Sequence, residues 1–169
     1  MIRMGIDAST SSTGWSIFDC NKLIAYGLIK PKGNNWQERV IDEWDKFCNV
    51  IDIYHPVEII AEDVPLKDGK PTILKLGAVQ GMILSLAAKY KIKVHYLLPS
   101  DWREELDLYD GTREGTYREV LKKKAINIAN KLFNIDLMWV KPKSKLNQDD
   151  IAEAILICYS QVKPKKLGK

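Results

Sequence analysis

The order of its strand-like and helix-like segments constrains the fold of this chain more than any other feature of the sequence. Three short apolar runs separated by turn-forming residues come first and predict an antiparallel meander. These runs cover residues 2–8, 14–19 and 23–29. Apolar residues then recur at spacings of three and four, and the helices that this spacing predicts alternate with two further strands. These later segments are a helix at 36–54, a strand at 58–64, a helix at 72–90 and a strand at 93–98.

The remainder of the chain is predicted to be helical. A helix starts at residues 99–101, a long basic helix covers 114–133, and an amphipathic helix covers 149–162. The sequence therefore predicts an α/β domain with a five-stranded mixed sheet, in which strands 1–3 form the meander, strands 4–5 are parallel, and helices flank the sheet. We expect one domain over residues 1–162 and a short basic tail at 163–169.

Length and composition restrict the class of protein. The chain has 169 residues, of which 46% are hydrophobic and 28% charged, and these values favour one globular domain over a disordered chain. No window approaches the roughly 18 to 20 uninterrupted apolar residues of a membrane helix, and the first residues contain no cleavable leader. We therefore expect a cytoplasmic protein.

Basic charge is concentrated late in the chain. The net charge is only +4, yet residues 113–145 carry nine Lys or Arg against three acids. Such a stretch in a folded domain indicates a polyanionic partner, although a solvated helix face is an equally acceptable interpretation. The candidate nucleic-acid-binding residues are Arg113, Arg118, Lys122, Lys123 and Lys124.

Acids occupy unusual places in two apolar strands. Asp7 lies in an apolar strand, where an ionised group is unfavourable unless it is paired or bound to a cation. Glu62 and Asp63 end a second apolar run. Asp7 could instead face solvent or cap the turn at 9–13, but two such placements favour a shared site.

A third group of acids begins the last helix. Asp149, Asp150 and Glu153 precede or lie within an apolar helix, where first-turn acids also serve as ordinary caps. Their spacings of three and four project like charges from one helix face, and a cation between them would remove the repulsion. Converging carboxylates are ligands for Mg²⁺ or Mn²⁺, two of which can support an in-line displacement at phosphorus. The candidate metal ligands are Asp7, Glu62, Asp149, Asp150 and Glu153. Crowding should raise their pKa values, so activity should rise as they ionise.

The motifs resemble those of the RuvC-type Holliday junction resolvases, which belong to the ribonuclease H-like superfamily. Residues 5–9 (GIDAS), 60–63 (IAED) and 149–154 (DDIAEA) are similar to the family's acidic motifs, in the family's order. Residues 74–81 (LKLGAVQG) resemble its Lys-Leu-Gly helix, and 98–103 (LPSDWR) resemble the version in phage and poxvirus resolvases. The resemblance implies a ribonuclease H-like fold.

The same resemblance implies an activity. It implies a dimeric, metal-dependent crossover junction endodeoxyribonuclease, of phage or bacterial origin, that nicks two opposed strands of a four-way DNA junction. The implied catalytic carboxylates are Asp7, Glu62, Asp150 and Glu153, with Asp149 as a second choice to Asp150. Relatives use a basic residue at the scissile phosphate. This points to one residue among 122–124, of which we assign Lys123.

Two further expectations concern substrate and assembly. Residues 64–67 lack the aromatic residue that some relatives insert into the junction, so we expect activity on several branched DNAs. The helix at 72–90 is the expected dimer interface, although its residues Met82, Ile83, Leu86 and Ala87 could equally pack on the sheet.

Other functions remain open at this point. The acids could be structural in a DNA-binding protein without catalysis, or the same carboxylates could cut RNA or flaps. An actin-like ATPase is disfavoured because the sequence contains no second phosphate-binding glycine loop.

Overall fold

The computed structural model describes residues 1–64 and 69–164, and its five strands form one mixed sheet in the order β3-β2-β1-β4-β5. The strands are β1 (Ile2–Asp7), β2 (Thr13–Asp19), β3 (Lys22–Ile29), β4 (Glu58–Glu62) and β5 (Lys93–Leu97). Strands β1–β3 are antiparallel, whereas β4 pairs in parallel with β1, and β5 in parallel with β4. The predicted sheet is confirmed.

Helices cover both faces of this sheet. They are α1 (Trp36–Tyr54), α2 (Lys70–Tyr90), α3 (Pro99–Glu105), α4 (Arg118–Phe133) and α5 (Asp149–Val162). The helix predicted at 114–133 is shorter than expected. Residues Glu114–Thr116 form a 3₁₀ turn, and Tyr117 is extended with ψ 136°, so the α-helix begins only at Arg118.

The core has two layers of apolar side chains. One layer lies between the sheet and helices α4 and α5 and includes Trp102, Leu121 and Ile155. The other lies between the sheet and helices α1 and α2. This second layer contains Met82, Ile83, Leu86 and Ala87. These four residues therefore pack on the sheet, which is the alternative left open for them above, and a dimer interface on the other face of α2 stays a prediction.

Helix α5 lies unusually close to strands β1 and β2. A Cβ atom on Gly5 would overlap the carbonyl of Ala154, and one on Gly14 would overlap the carbonyl of Asp150. The Ser16 hydroxyl also donates a hydrogen bond to the Ala154 carbonyl at 2.8 Å. The two glycines therefore bring the first turns of α5 against the carboxyl end of β1.

Helix α2 differs from the others in its apolar composition. Within the described ranges it is the single helix long and apolar enough to cross a membrane, by length and composition alone. Its residues Val79 and Ile83 are buried in the core, whereas Leu74 and Leu84 are 64% and 51% exposed. The helix thus has one face on the sheet and one apolar face uncovered.

The predicted domain limits stay a prediction, and residues 165–169 of the predicted tail lie outside the described residues.

Candidate active site

The carboxyl ends of two neighbouring parallel strands define the site. Asp7 ends β1 and Glu62 ends β4, and the pairing of Ile6 with Ala61 places the two acids side by side in the sheet. A cavity of about 780 Å³ opens at this edge. Its lining includes Asp7, Glu62, Asp150 and Glu153. Four of the predicted site acids therefore share one cavity.

Three of these acids form a compact cluster. Asp7, Asp150 and Glu153 each present a carboxylate oxygen, and the three atoms lie within 4.8 Å of one another. The spacing of three residues puts Asp150 and Glu153 on the same face of α5, and the close packing at Gly14 brings that face to Asp7. Oxygen donors arranged in this way fit a hard divalent cation such as Mg²⁺ or Mn²⁺.

Burial and mutual repulsion disfavour the ionised cluster. Burial raises the pKa of Asp7 well above its ordinary value, and the charges of Glu153 and Glu62 add to this rise. Burial, followed by the charge of Glu62, raises the pKa of Glu153 to about 7. The pKa values of Glu62 and Asp150 are also raised, again mainly by burial. The predicted direction is confirmed, but desolvation is the larger cause. A bound cation would offset both effects.

Glu62 lies in the cavity but outside the compact cluster. The indole Nε1–H of Trp102 donates a hydrogen bond to Glu62 at 3.1 Å. The Nη2 atom of Arg103 is 3.4 Å from Glu62 and 3.0 Å from Glu153, and so links the two acids. Arg103 was not among the predicted site residues. The resemblance of residues 98–103 to a resolvase motif was the one signal in the sequence that could have pointed to it.

Asp149 has a different partner from Asp150. Asp149 is buried and forms an ion pair with Lys122, whose Nζ lies 3.8 Å from Asp150. Asp149 lies outside both the compact cluster and the lining of the cavity. Burial alone would lower the pKa of Lys122, but the hydrogen bond and charge of Asp149 raise it above its ordinary value. The structure thus brings Asp150 to the cluster and places Asp149 behind it.

The three consecutive lysines of α4 have three different environments. Lys122 lines the cavity, whereas Lys123 is exposed and lies outside the lining. Lys124 donates hydrogen bonds to the Leu108 carbonyl at 3.2 Å and to Asp110 at 2.5 Å. Successive residues on a helix point about 100° apart, so only one of the three can face the site. Of the three lysines, the structure therefore places only Lys122 at the cavity, and the catalytic role of Lys123 stays an untested prediction.

The two predicted arginines are also separated. Arg118 is exposed at the start of α4 and lines the cavity. Arg113 is exposed in the preceding loop and is absent from the cavity lining.

The predicted lack of an aromatic wedge concerns residues 64–67. Of these, residues 65–67 lie outside the described residues.

Comparison with known proteins identifies a family for most of the chain. Residues 3–158 match the protein family described as crossover junction endodeoxyribonuclease RuvC. The chain is 28% identical over 160 residues to the protein of that name from Nitratidesulfovibrio vulgaris, covering 92% of this chain and 88% of the relative. It is 27% identical over 172 residues to that of Dictyoglomus thermophilum, covering 96% of each.

Solved structures agree with the fold. The RuvC protein of Thermus thermophilus in complex with a Holliday junction substrate superposes with a TM-score of 0.72 at 15% identity, covering 95% of this chain and 92% of that one. The fowlpox virus resolvase in complex with Holliday junction DNA superposes with a TM-score of 0.53 at 16% identity, covering 95% and 97%.

Proposed function

The chain belongs to the family of the crossover junction endodeoxyribonuclease RuvC, and we propose that it resolves four-way DNA junctions by nicking two opposed strands. One observation carries this proposal: Asp7, Asp150 and Glu153 meet within 4.8 Å at the carboxyl edge of the sheet. Acids at such distances are stabilised by divalent cations, and carboxylate-held cations are the usual means of cleaving phosphodiesters.

The donor set supports a metal-dependent reaction with Mg²⁺ or Mn²⁺. Asp7, Asp150 and Glu153 would hold the metal, and Glu62 lies beside them as a further carboxylate in the same cavity. When bound, one or two such ions supply Lewis-acid activation of water and stabilisation of the leaving oxygen in an in-line displacement. Zinc is a weaker candidate because the cluster contains neither His nor Cys.

The basic residues of the cavity suit an anionic substrate. Arg118 and Lys122 line the cavity together with Arg103, whose Nε–H is buried without a hydrogen-bond partner among the described residues. The exposed guanidinium of Arg118 and the ammonium group of Lys122 are the donors that the cavity offers to an anionic oxygen. We assign Lys122, in place of Lys123, to the neighbourhood of the scissile phosphate, because Asp149 fixes its ammonium group 3.8 Å from Asp150.

Paired incision suggests a homodimer, since a two-fold assembly matches the symmetry of the junction. The uncovered face of α2 is the proposed interface. An exposed stripe runs along it at helical spacing and consists of Leu74, Gly77, Gly81, Leu84 and Ala88. Nothing lies within 4 Å of a Cβ built on Gly77 or Gly81, so a second helix could approach closely there.

The proposed interface can be tested by a charge in the stripe. We expect Leu84→Glu to shift the protein to a monomer in light scattering and to separate the two nicks in time. Leu132→Glu is the matched control, because Leu132 is a similarly exposed leucine on α4. The control should stay a dimer. If Leu84→Glu also stays a dimer, α2 does not use this face as the interface.

The range of branched substrates and the location of the protein remain proposals. We expect comparable rates of nicking on four-way and three-way junctions, and a strict short cleavage consensus would contradict this.

We also expect the protein to act in the cytoplasm of a bacterium or of a phage-infected host, since the relatives named above are bacterial proteins.

The central experiment uses a labelled immobile four-way junction with Mg²⁺ or Mn²⁺. The intact chain should nick two opposed strands and leave ligatable ends, while Asp7→Asn and Glu62→Gln should bind the junction without nicking it. Binding with no nicking by the intact chain would instead indicate a DNA-binding protein without catalysis. Faster cutting of RNA hybrids or flaps than of junctions would assign the site to another nucleic acid.

A further inference from the structure

A second cleft, of about 480 Å³, adjoins the active-site cavity. The two share Ser11, Ser12, Lys122 and Asp150 in their linings. The opposite wall of the cleft is formed by Lys30, which follows β3, and by Lys143 and Lys145 in the loop before α5. We call this space the lysine cleft. A linear polymer bound at the cavity could continue into it without a break.

The lysine cleft has an excess of positive charge, since four lysines and three acids line it. Lys30, Lys143 and Lys145 are exposed, and in the described part of the chain none of them forms an ion pair. The acids of the cleft already have partners. Asp149 pairs with Lys122, whose Nζ also lies 3.8 Å from Asp150, and Glu119 accepts a hydrogen bond from the backbone N–H of Lys143 at 3.2 Å. The three lysines are therefore available to an external anion.

The loop that carries two of these lysines is held in one conformation by its own hydrogen bonds. The side chain of Asn147 accepts from the Val140 N–H at 2.8 Å and donates to the Lys141 carbonyl at 2.9 Å. The Ser144 N–H donates to the same carbonyl at 3.1 Å. Lys143 is left-handed with φ 60°, a conformation unfavourable for lysine that places its side chain in the cleft lining. The cationic wall is thus preorganised.

We propose that the lysine cleft binds the sugar-phosphate backbone of the nicked strand next to the scissile phosphate. The proposal rests on the proposed function, because the cavity defines where the scissile phosphate lies. Lysines, serines and an asparagine recognise phosphate oxygens, and no aromatic side chain among the described residues lines the cleft. The cleft can therefore bind a backbone but offers no platform for stacked bases.

The test compares two pairs of lysine substitutions on the Asp7→Asn background, so that the junction stays uncut. The cleft pair is Lys143→Asn with Lys145→Gln, where asparagine tolerates the left-handed backbone. The matched control is Lys141→Gln with Lys131→Gln, which removes the same charge from exposed lysines outside both cavities. We expect the cleft pair to bind the junction about tenfold more weakly near 0.1 M salt, with a salt slope smaller by about two. The control pair should keep the parent slope.

Neutral phosphates then locate the contact. Methylphosphonate groups are placed one at a time on either side of the scissile position in the cut strand. With the lysines intact, affinity should fall at two or three neighbouring positions on one side. In the cleft pair, substitution at those positions should have no further effect, because the lysines that contacted them are absent. Identical methylphosphonate profiles in the two proteins would overturn the inference.

Failure of this inference can be distinguished from failure of the proposed function. If the chain with an intact Asp7 nicks junctions and the cleft pair behaves like the control pair, only the lysine cleft is refuted. If the intact chain neither binds nor nicks a junction with Mg²⁺ or Mn²⁺, the proposed function and this inference are both refuted.

Discussion

The two faces of the sheet differ in how they bury carboxylates. The face covered by α5 buries Asp149 and Glu153 beside Asp7 and Asp150, where arginine, lysine and a cation can balance them. In the described part of the chain, the face covered by α1 buries one carboxylate, that of Glu43 at 0% exposure, and neither of its oxygens has a hydrogen bond of good geometry. Buried acids that converge form a binding site, whereas an isolated one mainly reduces stability.

The largest expected effect separates these two faces by activity. Asp7→Asn removes a cation ligand and should reduce nicking by roughly a thousandfold, comparable to the loss of a preorganised electrostatic contact in other enzymes. Glu43→Gln should keep the nicking rate, since Glu43 is absent from the cavity lining. Rates measured under single-turnover conditions on one junction make the comparison. An equal loss of activity in both variants would remove the distinction between the faces.

The next effect concerns how tightly each face is packed. Gly14→Ala should destabilise the protein by about 3 kcal/mol, because its Cβ would overlap the Asp150 carbonyl and push α5 away from β1. Gly77→Ala has open space around it and should instead stabilise α2 by about 1 kcal/mol. Urea unfolding of both variants measures these changes. A neutral Gly14→Ala variant with full nicking activity would show that the close approach of α5 is not required.

Glu43 should make stability depend on pH. Burial raises the pKa of Glu43 to about 7, and Thr13 and Lys46 oppose this rise only in part. The folded protein then keeps a proton that the unfolded chain releases near pH 4.5, so stability falls as pH increases between these values and the loss is complete above about pH 8. Glu43→Gln should therefore be more stable than the parent by about 3 kcal/mol at pH 8 and nearly equal at pH 4.

The control for this effect is Asp45→Asn on the same helix, because Asp45 is exposed. It should leave the dependence of unfolding free energy on pH unchanged. The metal-free protein should be used throughout, so that the cluster around Asp7 contributes equally to each protein. A parallel pH dependence for Glu43→Gln and the parent would show that Glu43 has a partner in solution.

The smallest expected effect lies within the active-site face. Arg103 lowers the pKa values of Glu62 and Glu153 against the effect of burial. Arg103→Gln should therefore move the acidic limb of the nicking profile to higher pH by about one unit at limiting metal. Arg113→Gln is the matched control, since Arg113 lies outside the cavity lining. An unshifted profile in Arg103→Gln would show that this arginine does not balance the acids during the reaction.

The sequence predicted most of the fold and the identity of the acids. Helical spacing gave the bounds of α1 correctly, because its buried residues recur every four positions on one face, and the acids of its first turn marked the start of α5, which is buried nearly all round. The position of Asp7 and Glu62 at the ends of apolar strands was sufficient to expect a shared site. The start of α4 was missed because the helical pattern continues through residues 114–116, which form a 3₁₀ turn.

The roles of neighbouring residues could not be predicted in the same way. Asp149 and Asp150, like Lys122 and Lys123, are chemically equivalent in the sequence, and only the rotation of each helix against the sheet decides which faces the cavity. Arg103 was missed because its partners, Glu62 and Glu153, are 41 and 50 residues away along the chain.

The sequence by itself determined the order of strands and helices, the family and the set of acids, because these depend on local patterns of apolar and charged residues. Tertiary structure decided which acids meet, which lysine faces them, and that a second cationic cleft continues from the cavity. These features depend on close contacts between distant segments, such as α5 against Gly14, and no spacing along one segment records them.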